Sequence, residues 1–451
     1  MTTLTLLTLA IIAYGVLRRD GYPRALALGG ATPAGAALVV GSVAVPTFYA
    51  VALGAAVAVV LGVVGGGPFR RTPRRPLPPG VGLLVLFASW GVLVTLLAPL
   101  LFDGQPVVLP SGPGAQIQAG ALTSSNIAQT IYLVVGICVV VLIARSRSAG
   151  PELVGLAAGL VVVLSLWRYG NVEAGLPFPE KVFDNAPFFH YIETAPGGVQ
   201  RFRGVLSEPS ALAGSCLVAI CYLVPRSAQI GGWRRWAALM LATAAGYLGV
   251  ISTSTGFLVA AVVVMMVAIA TFLLGFLARR TSVSGVATVV AAGMVVLALW
   301  LVPIVAGFVE AEVGDKVGSA SYDERSGADL ASYDTFLDTF GLGVGLGANR
   351  ASSFLAGLLS TVGIVGALLL VGAIAELVRR SWPVREYRPV VWALVALLTL
   401  KVIAGPDLSD PSGVFWIALG LLSRAALIAE RGWTDVPAGR VVAATGRGAG
   451  G

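Results

Sequence analysis

Long apolar segments recur along the whole chain and are separated by short polar loops. A helix that crosses the hydrocarbon core of a bilayer needs about 20 predominantly apolar residues. The pattern therefore predicts an all-α, polytopic membrane helix bundle of about 12–13 spans. The candidate spans are 2–17, 25–44, 47–66, 80–101, 126–144, 151–167, 209–225, 236–252, 256–278, 283–308, 351–377, 389–405 and 413–429. Gly and Pro interrupt the second and third, which could instead form one span plus a re-entrant piece.

The composition agrees with a membrane protein and leaves little room for a soluble domain. Of the 451 residues, 57% are hydrophobic and only 12% are charged, whereas soluble domains carry about 25% charged residues. Long hydrophilic blocks are missing, so a single transmembrane domain is predicted over residues 1–430, with a disordered cytoplasmic tail at 431–451. The first apolar segment lacks a small-residue cleavage site and is interpreted as a span, not as a signal peptide.

Charged residues are distributed unevenly between alternating loops. Of the 30 Lys and Arg residues, 21 lie on one predicted side, whereas 16 of the 22 acidic residues lie on the other. The arginine-rich side is predicted to be cytoplasmic, because cytoplasmic loops carry an excess of Lys and Arg. The same pattern explains the net charge of +8, so this charge does not indicate nucleic-acid binding. The basic residues predicted to face outward are Arg168, Lys181, Arg201, Arg203, Lys316, Arg325 and Arg350.

Three loops of substantial length fall on the outer side, at 102–125, 168–208 and 309–350. The first contains no basic residue, so function is expected in the other two, which are the two large extracytoplasmic loops. In the third loop, apolar residues recur at helical spacing with aspartates between them. This spacing predicts an amphipathic helix lying on the outer membrane surface. Its apolar positions are Leu330, Tyr333, Leu337 and Phe340.

The first functional motif is RFRGVLSEPS at 201–210, which runs directly into a predicted span. Arg201 and Arg203 face outward against the charge bias, and a helix N-terminus at Ser210 offers free N–H groups and a positive dipole end. Arginine adds a planar fork that matches phosphate oxygens. The motif suits a phosphate or pyrophosphate group at the membrane surface. In the alternative account Ser207 is a helix cap and Glu208 pairs with Arg203.

The second motif is SYDER at 321–325, followed after the surface helix by GLGVGLGANR at 341–350. The alternating glycines do not form a dinucleotide fingerprint, because no strand precedes them and a span follows. They are expected to let the backbone approach a ligand or a neighbouring helix closely. Arg325 and Arg350 are candidate anion ligands. The alternatives are an ion pair between Arg325 and Asp329 and an interfacial anchoring role for Arg350.

Candidate general bases lie in the same two loops. Glu208 is the preferred group for taking a hydroxyl proton, because it lies among cations. His190, the only histidine, and Asp323 are the other candidates. The sequence contains no set with metal-ligand spacing, and its three cysteines lie in apolar runs. Lys401, near the outer end of a predicted span, is either a functional charge or a snorkelling lysine.

Three stretches resemble the O-antigen polymerase and O-antigen ligase superfamily of bacterial polysaccharide assembly. RFRGVLSEPSALAG is similar to the family's Arg-x10-Gly element and its EPS signature. ISTSTGFL at 251–258 resembles its serine-rich turn between two spans, and 321–366 resembles its terminal block. Two features depart from the family. The late loop has no histidine, which argues against a ligase. A second Arg-x10-Gly element is also missing, because Phe336 stands where an element beginning at Arg325 would have its glycine.

The resemblance implies a metal-independent glycosyltransferase of the GT-C type that needs no cofactor. Its substrate would be an undecaprenyl-pyrophosphate-linked glycan, polymerised on the outer side of the bacterial cytoplasmic membrane. Arg201, Arg203 and Ser210 would bind the pyrophosphate, with Arg325 and Arg350 completing the cationic clamp. Membrane lipid and a chain-length regulator are the further partners that it implies.

Two other functions stay open at this point. A ligase of the same superfamily would transfer a finished glycan to another acceptor. A transporter or flippase for lipid-linked sugar would be of a different class, and such proteins place charges near the bilayer midplane and show internal repeats. The predicted spans contain almost no charge, and no repeat is evident, so an enzyme with access from one side is favoured.

Overall fold

The computed structural model describes residues 2–18, 21–40, 43–64, 77–109, 112–186, 200–277, 320–405 and 408–430, with isolated positions between 289 and 307. It is mostly helical, with 73% helix and 4% strand. The helices are α1 (Thr3–Leu17), α2 (Tyr22–Gly29), α3 (Thr47–Val64), α4 (Val81–Leu101), α5 (Ser124–Arg145), α6 (Glu152–Ala174), α7 (Glu180–Phe183), α8 (Pro209–Ser227), α9 (Trp233–Ile251), α10 (Thr255–Leu277), α11 (Ala320–Asp338), α12 (Phe354–Ser381), α13 (Arg388–Ala404) and α14 (Val414–Glu430). The strands form two antiparallel hairpins, β1 (Ala36–Val40) with β2 (Val43–Pro46) and β3 (Pro106–Leu109) with β4 (Gly112–Gln116).

Six of the described helices are long and apolar enough to cross a membrane: α4, α5, α6, α8, α12 and residues 256–277 of α10. Each contains at least 19 residues, and their mean hydropathy ranges from 1.4 to 2.9. The chain is therefore a helical protein with the features of a multi-pass membrane protein. Of the predicted span at 283–308, only isolated helical positions are described, and the predicted tail at 431–451 lies outside the described residues.

The second predicted span, 25–44, is wrong. Helix α2 ends at Gly29 after eight residues, and the chain then turns into the hairpin of β1 and β2. Glycines and Pro33 interrupt the apolar run, and the β-branched valines that follow favour strand pairing. The alternative was one span plus a re-entrant piece over residues 25–66. The structure agrees with it in one respect, because only residues 47–64 of this region form a long helix.

Helix α14 lies at the centre of the bundle. All of its residues from Val414 to Leu422 are buried, including Phe415 and Trp416. A helix that is apolar on all sides is expected in the interior. The indole of Trp416 packs so closely against Gly136 of α5 that a side chain at Gly136 would overlap it. This glycine therefore allows α5 and α14 to come together.

Contacts between loops follow the grouping predicted from charge. On the arginine-rich side, Arg380 pairs with Glu430, and Arg226 lies 3.8 Å from Glu386. Asn185, in a predicted outer loop, donates to the Ala36 carbonyl and accepts from its N–H, both at 2.8 Å, although Ala36 was predicted to lie within a span. The two contacts of Arg380 and Arg226 agree with the predicted grouping. The identity of the cytoplasmic face stays a prediction.

Helix α11 forms where the amphipathic surface helix was predicted. Ser332, Thr335 and Thr339 are buried, and their hydroxyls donate to carbonyls one turn earlier in the chain. The opposite face exposes Leu330 and Leu337. The helix therefore packs its small polar face against the protein, and its outward face carries Leu330 and Leu337 with Asp334 between them. Its position at a membrane surface stays a prediction.

Candidate functional site

The glycine run at 341–347 passes between helices in a conformation that other residues rarely adopt. Gly341, Gly343, Gly345 and Gly347 have φ angles between +73° and +95°. A side chain on Gly343 would meet the Thr361 carbonyl of α12 at 2.7 Å, and one on Gly345 would meet the backbone of α4 at 2.8 Å. The glycines thus allow close approach to neighbouring helices, one of the two roles that the sequence predicted.

Helix α12 is broken at the point where this run crosses it. Gly363 has φ 67° and ψ −172°, which interrupts the helical hydrogen bonds. The run replaces them, because the N–H groups of Val344 and Gly345 donate to the carbonyls of Ser360 and Thr361 at 2.8 and 2.9 Å. The Ile364 N–H donates in turn to the Gly341 carbonyl at 3.0 Å. The broken helix therefore satisfies its backbone with the glycine run.

A polar network ties the end of this run to the β3–β4 hairpin. The buried Asn349 donates to Ser332 and Ser360, both at 2.9 Å, and accepts from the Val108 N–H at 2.8 Å. Arg350 is exposed, and its backbone N–H donates to the Val108 carbonyl. These contacts place the exposed guanidinium of Arg350 next to the hairpin.

The second group of functional candidates lies before α8. Arg203 is only 4% exposed, and its guanidinium donates to both carboxylate oxygens of Asp184, at 3.0 and 2.5 Å, and to the Leu206 carbonyl at 2.8 Å. Arg168, about two turns before the end of α6, donates to the same carboxylate at 3.0 and 3.3 Å. Two buried guanidinium groups therefore converge on one carboxylate.

Arg201 is held by a different element, the turn between α9 and α10. Its Nε donates to the Thr253 hydroxyl at 2.9 Å, and its Nη2 donates to the Thr253 carbonyl at 2.9 Å. Thr253 has a φ of 50°, which is unfavourable for a β-branched residue. Arg201 thus spans from the loop before α8 to a strained turn in the serine-rich stretch.

Glu208 and Ser210 mark the start of α8. Glu208 is the N-cap residue, with no side-chain capping bond, and Pro209 and Ser210 begin the helix. Both Glu208 and Ser210 are half-buried. The alternative account, in which Ser207 caps the helix and Glu208 pairs with Arg203, is wrong, because Glu208 is the N-cap and the carboxylate on Arg203 belongs to Asp184.

Among the residues that the structure describes, no contact joins the remaining candidates to this group. Arg325 is exposed on α11, and no contact within the described ranges links it or Arg350 to the arginines before α8. Asp329, its alternative partner, accepts instead from the N–H groups of Ser352 and Ser353. Asp323 lies on α11 with its side chain outside the described set, and His190 lies outside the described residues.

Sequence reasoning missed three members of the site: Arg168 as a ligand of the carboxylate, Asp184, and the strained Thr253. Arg168 was visible as an outward basic residue at the end of a span. Asp184 gave no signal, because it has no motif around it and its partners lie 16 and 19 residues away. Three or more His, Cys, Asp or Glu side chains do not gather into a metal-binding group anywhere in the described structure.

Comparison with known proteins adds no family assignment. No protein-family model matches the sequence, and none of the curated proteins matches it at a significant level.

Proposed function

We propose that this chain is a membrane glycosyltransferase that polymerises undecaprenyl-pyrophosphate-linked oligosaccharides on the outer side of a bacterial cytoplasmic membrane. The observation that supports this most is the pair of arginines before α8, each fixed by its own contacts. Arg203 is held by Asp184 and the Leu206 carbonyl, and Arg201 by the turn at Thr253. The short motifs that resemble those of the O-antigen polymerase superfamily favour the same reaction.

The reaction requires stabilisation of a leaving diphosphate. The acceptor hydroxyl oxygen attacks the anomeric carbon, the bond from that carbon to the phosphate oxygen breaks, and its electrons remain on the diphosphate. Donors fixed in advance near the developing charge supply a large part of such catalysis. In this proposal Arg201, Arg203 and the first N–H groups of α8 at Ser210 stabilise the leaving group, and Arg325 and Arg350 contribute from the late loop.

The acceptor proton needs a base. Glu208 is the first choice, because it is half-buried at the N-cap of α8 and neither ion-paired nor hydrogen-bonded through its side chain to another described residue. His190 and Asp323 are the further candidates. The base takes the hydroxyl proton while the diphosphate departs as the anion, so the step is balanced without a metal or a redox cofactor.

Arg168 and Asp184 would position Arg203. A carboxylate that accepts from two guanidinium groups fixes both in orientation, because the bidentate geometry allows few rotamers. Arg203 is buried in this arrangement, so contact with a diphosphate requires the substrate to displace part of the Asp184 interaction. Arg203 therefore connects substrate binding to the position of the Asp184 side chain.

One observation bears on the rival class, a transporter. Broken helices in transporters expose backbone groups that bind substrate or ions near the midplane. In α12 the break is at Gly363, but the carbonyls of Ser360 and Thr361 are used by the glycine run. The Val362 carbonyl accepts from the Trp90 indole at 2.8 Å. The break therefore lets the glycine run pack against α12 and leaves these three carbonyls already hydrogen-bonded. This favours an enzyme over a transporter.

A reconstitution experiment separates the three functions. Purified protein in lipid bilayers is supplied with one lipid-linked repeat unit and no other acceptor. Lengthening of the lipid-linked chain supports the polymerase. Transfer that occurs only after a second acceptor is added supports the ligase instead, and movement of the substrate across the bilayer without any new glycosidic bond supports the transporter.

A further inference from the structure

Lys401 is a cation within a helix that is otherwise apolar for most of its length. It lies on α13, one turn before the helix ends at Ala404, and is half-buried. Charged side chains in such helices are costly and usually mark a substrate or ion site. A lysine that merely snorkels would direct its ammonium group away from the protein, toward the headgroups.

The ammonium group of Lys401 instead contacts another helix. Its Nζ lies 5.6 Å from the centre of the Phe354 ring, and Phe354 is the first residue of α12. A cation over an aromatic face is stabilised by the ring quadrupole, more so where water is partly excluded. Lys401 is therefore held toward the protein at the end of the bundle where α12 begins.

The neighbours of Lys401 connect it to the arginine site. Leu400 lies against Gly214 of α8, and Ile403 lies against Gly256 at the start of α10; a Cβ on either glycine would be 3.6 to 3.7 Å from these side chains. Helix α8 follows the loop of Arg203 and Arg201, and α10 follows the turn that Arg201 grips. Helix α13 therefore packs beside the two helices whose outer ends carry the site, through residues close to Lys401 in the chain.

The geometry points to Lys401 as a third cation of the diphosphate site, in contact with the same anionic group as Arg201 and Arg203. This inference rests on the proposed function, since it names a further ligand of that site. Leu400 and Ile403, close to Lys401 on α13, lie against α8 and α10, whereas Arg325 and Arg350 lie with α11 and the β3–β4 hairpin. The ligand class is a diphosphate, either free or carried on a prenyl lipid.

Binding measurements on the full-length, detergent-solubilised protein test this role. Inorganic pyrophosphate and a short-chain prenyl pyrophosphate are titrated separately, and the rise in melting temperature gives an apparent affinity. At least one probe should stabilise the wild type, and the arm that does so identifies the source of the diphosphate. Lys401→Gln should weaken that probe at least tenfold, whereas Lys401→Arg, which keeps the charge, should weaken it far less.

Lys181→Gln is the matched control, because Lys181 is an exposed lysine on α7. It should bind the probe as the wild type does. Equal affinity of wild type and Lys401→Gln would overturn the role of Lys401 while leaving the proposed function intact. Absence of stabilisation of the wild type by both probes would overturn the diphosphate site itself. Melting temperatures without probe show whether each variant is folded.

Discussion

Asp184 accepts hydrogen bonds from the guanidinium of Arg203 on both of its carboxylate oxygens, at 3.0 and 2.5 Å. The same carboxylate accepts from Arg168, so one acidic side chain, 14% exposed, orders two basic ones. Removing one member of a buried charge cluster is costly, because the partners stay buried without their counter-charge.

Asp184→Ala should therefore destabilise the protein by about 3 kcal/mol. Asp334→Ala is the matched control, because Asp334 is exposed on α11, and its change should be within about 0.5 kcal/mol. Denaturant unfolding in detergent, followed by circular dichroism, measures both. A loss for Asp184→Ala no larger than that of the control would show that the cluster contributes nothing to stability.

Gly363→Ala tests the crossing of the glycine run with α12. The position has φ 67°, and an added Cβ would overlap the carbonyl oxygen of Gly341. Strain and the loss of the crossing hydrogen bonds should destabilise the protein by at least about 2 kcal/mol. The measurement is the midpoint of thermal unfolding in detergent.

Gly372→Ala, on the same helix, provides the control. The Cβ added there would meet only a Leu83 methyl group at 3.8 Å. Alanine has the higher helix propensity, so this variant should be as stable as the wild type or up to about 1 kcal/mol more stable. Equal effects of the two substitutions would contradict the crossing.

The interaction between Arg201 and the α9–α10 turn can be measured as a coupling energy. Thr253→Val removes the hydroxyl that accepts from Arg201 Nε at 2.9 Å and keeps the β-branched shape. In a double-mutant cycle with Arg201→Met, hydrogen bonds to a charged group should give about 1.5 kcal/mol of coupling in unfolding free energy. Additive effects of the two substitutions would mean that the contact is not formed in solution.

Helix α11 is expected to rest on the lipid surface through Leu330, Leu337 and Phe340. A fluorophore attached at Leu337→Cys should be quenched by lipids carrying a quencher in the outer acyl region. The same fluorophore at Asp338→Cys, which is exposed about 100° around the helix from Leu337, should be quenched less. The background replaces Cys138, Cys216 and Cys221. Equal quenching at both positions would contradict an oriented helix.

The fold was predictable wherever hydrophobicity alone decides the outcome. Helices such as α4 and α5 begin and end close to their predicted limits, because a run of about 20 apolar residues has few alternatives in a membrane. The second predicted span failed because valines at 39–45 suit a strand as well as a helix. The length and hydropathy of this segment do not reveal that β1 and β2 pair with each other.

The site was predictable in part, for a different reason. Arg201 and Arg203 were visible as cations on the wrong side of a charge bias, and the glycine run as a break in a regular pattern. Asp184 and Thr253 were not visible, since their roles depend on contacts between segments that are far apart in sequence. In the described part of the chain no contact joins Arg325 or Arg350 to the other two arginines, which spacing along the chain does not predict.

The most direct test of the central claim is elongation of a lipid-linked repeat unit by purified wild type and by two variants at Arg203. Each sample contains the same amount of folded protein, verified by its unfolding transition. Arg203→Ala should slow elongation about a hundredfold or more, as expected for removal of one preorganised donor, and Arg203→Lys should retain more activity than Arg203→Ala. Elongation by Arg203→Ala at the wild-type rate would contradict the account.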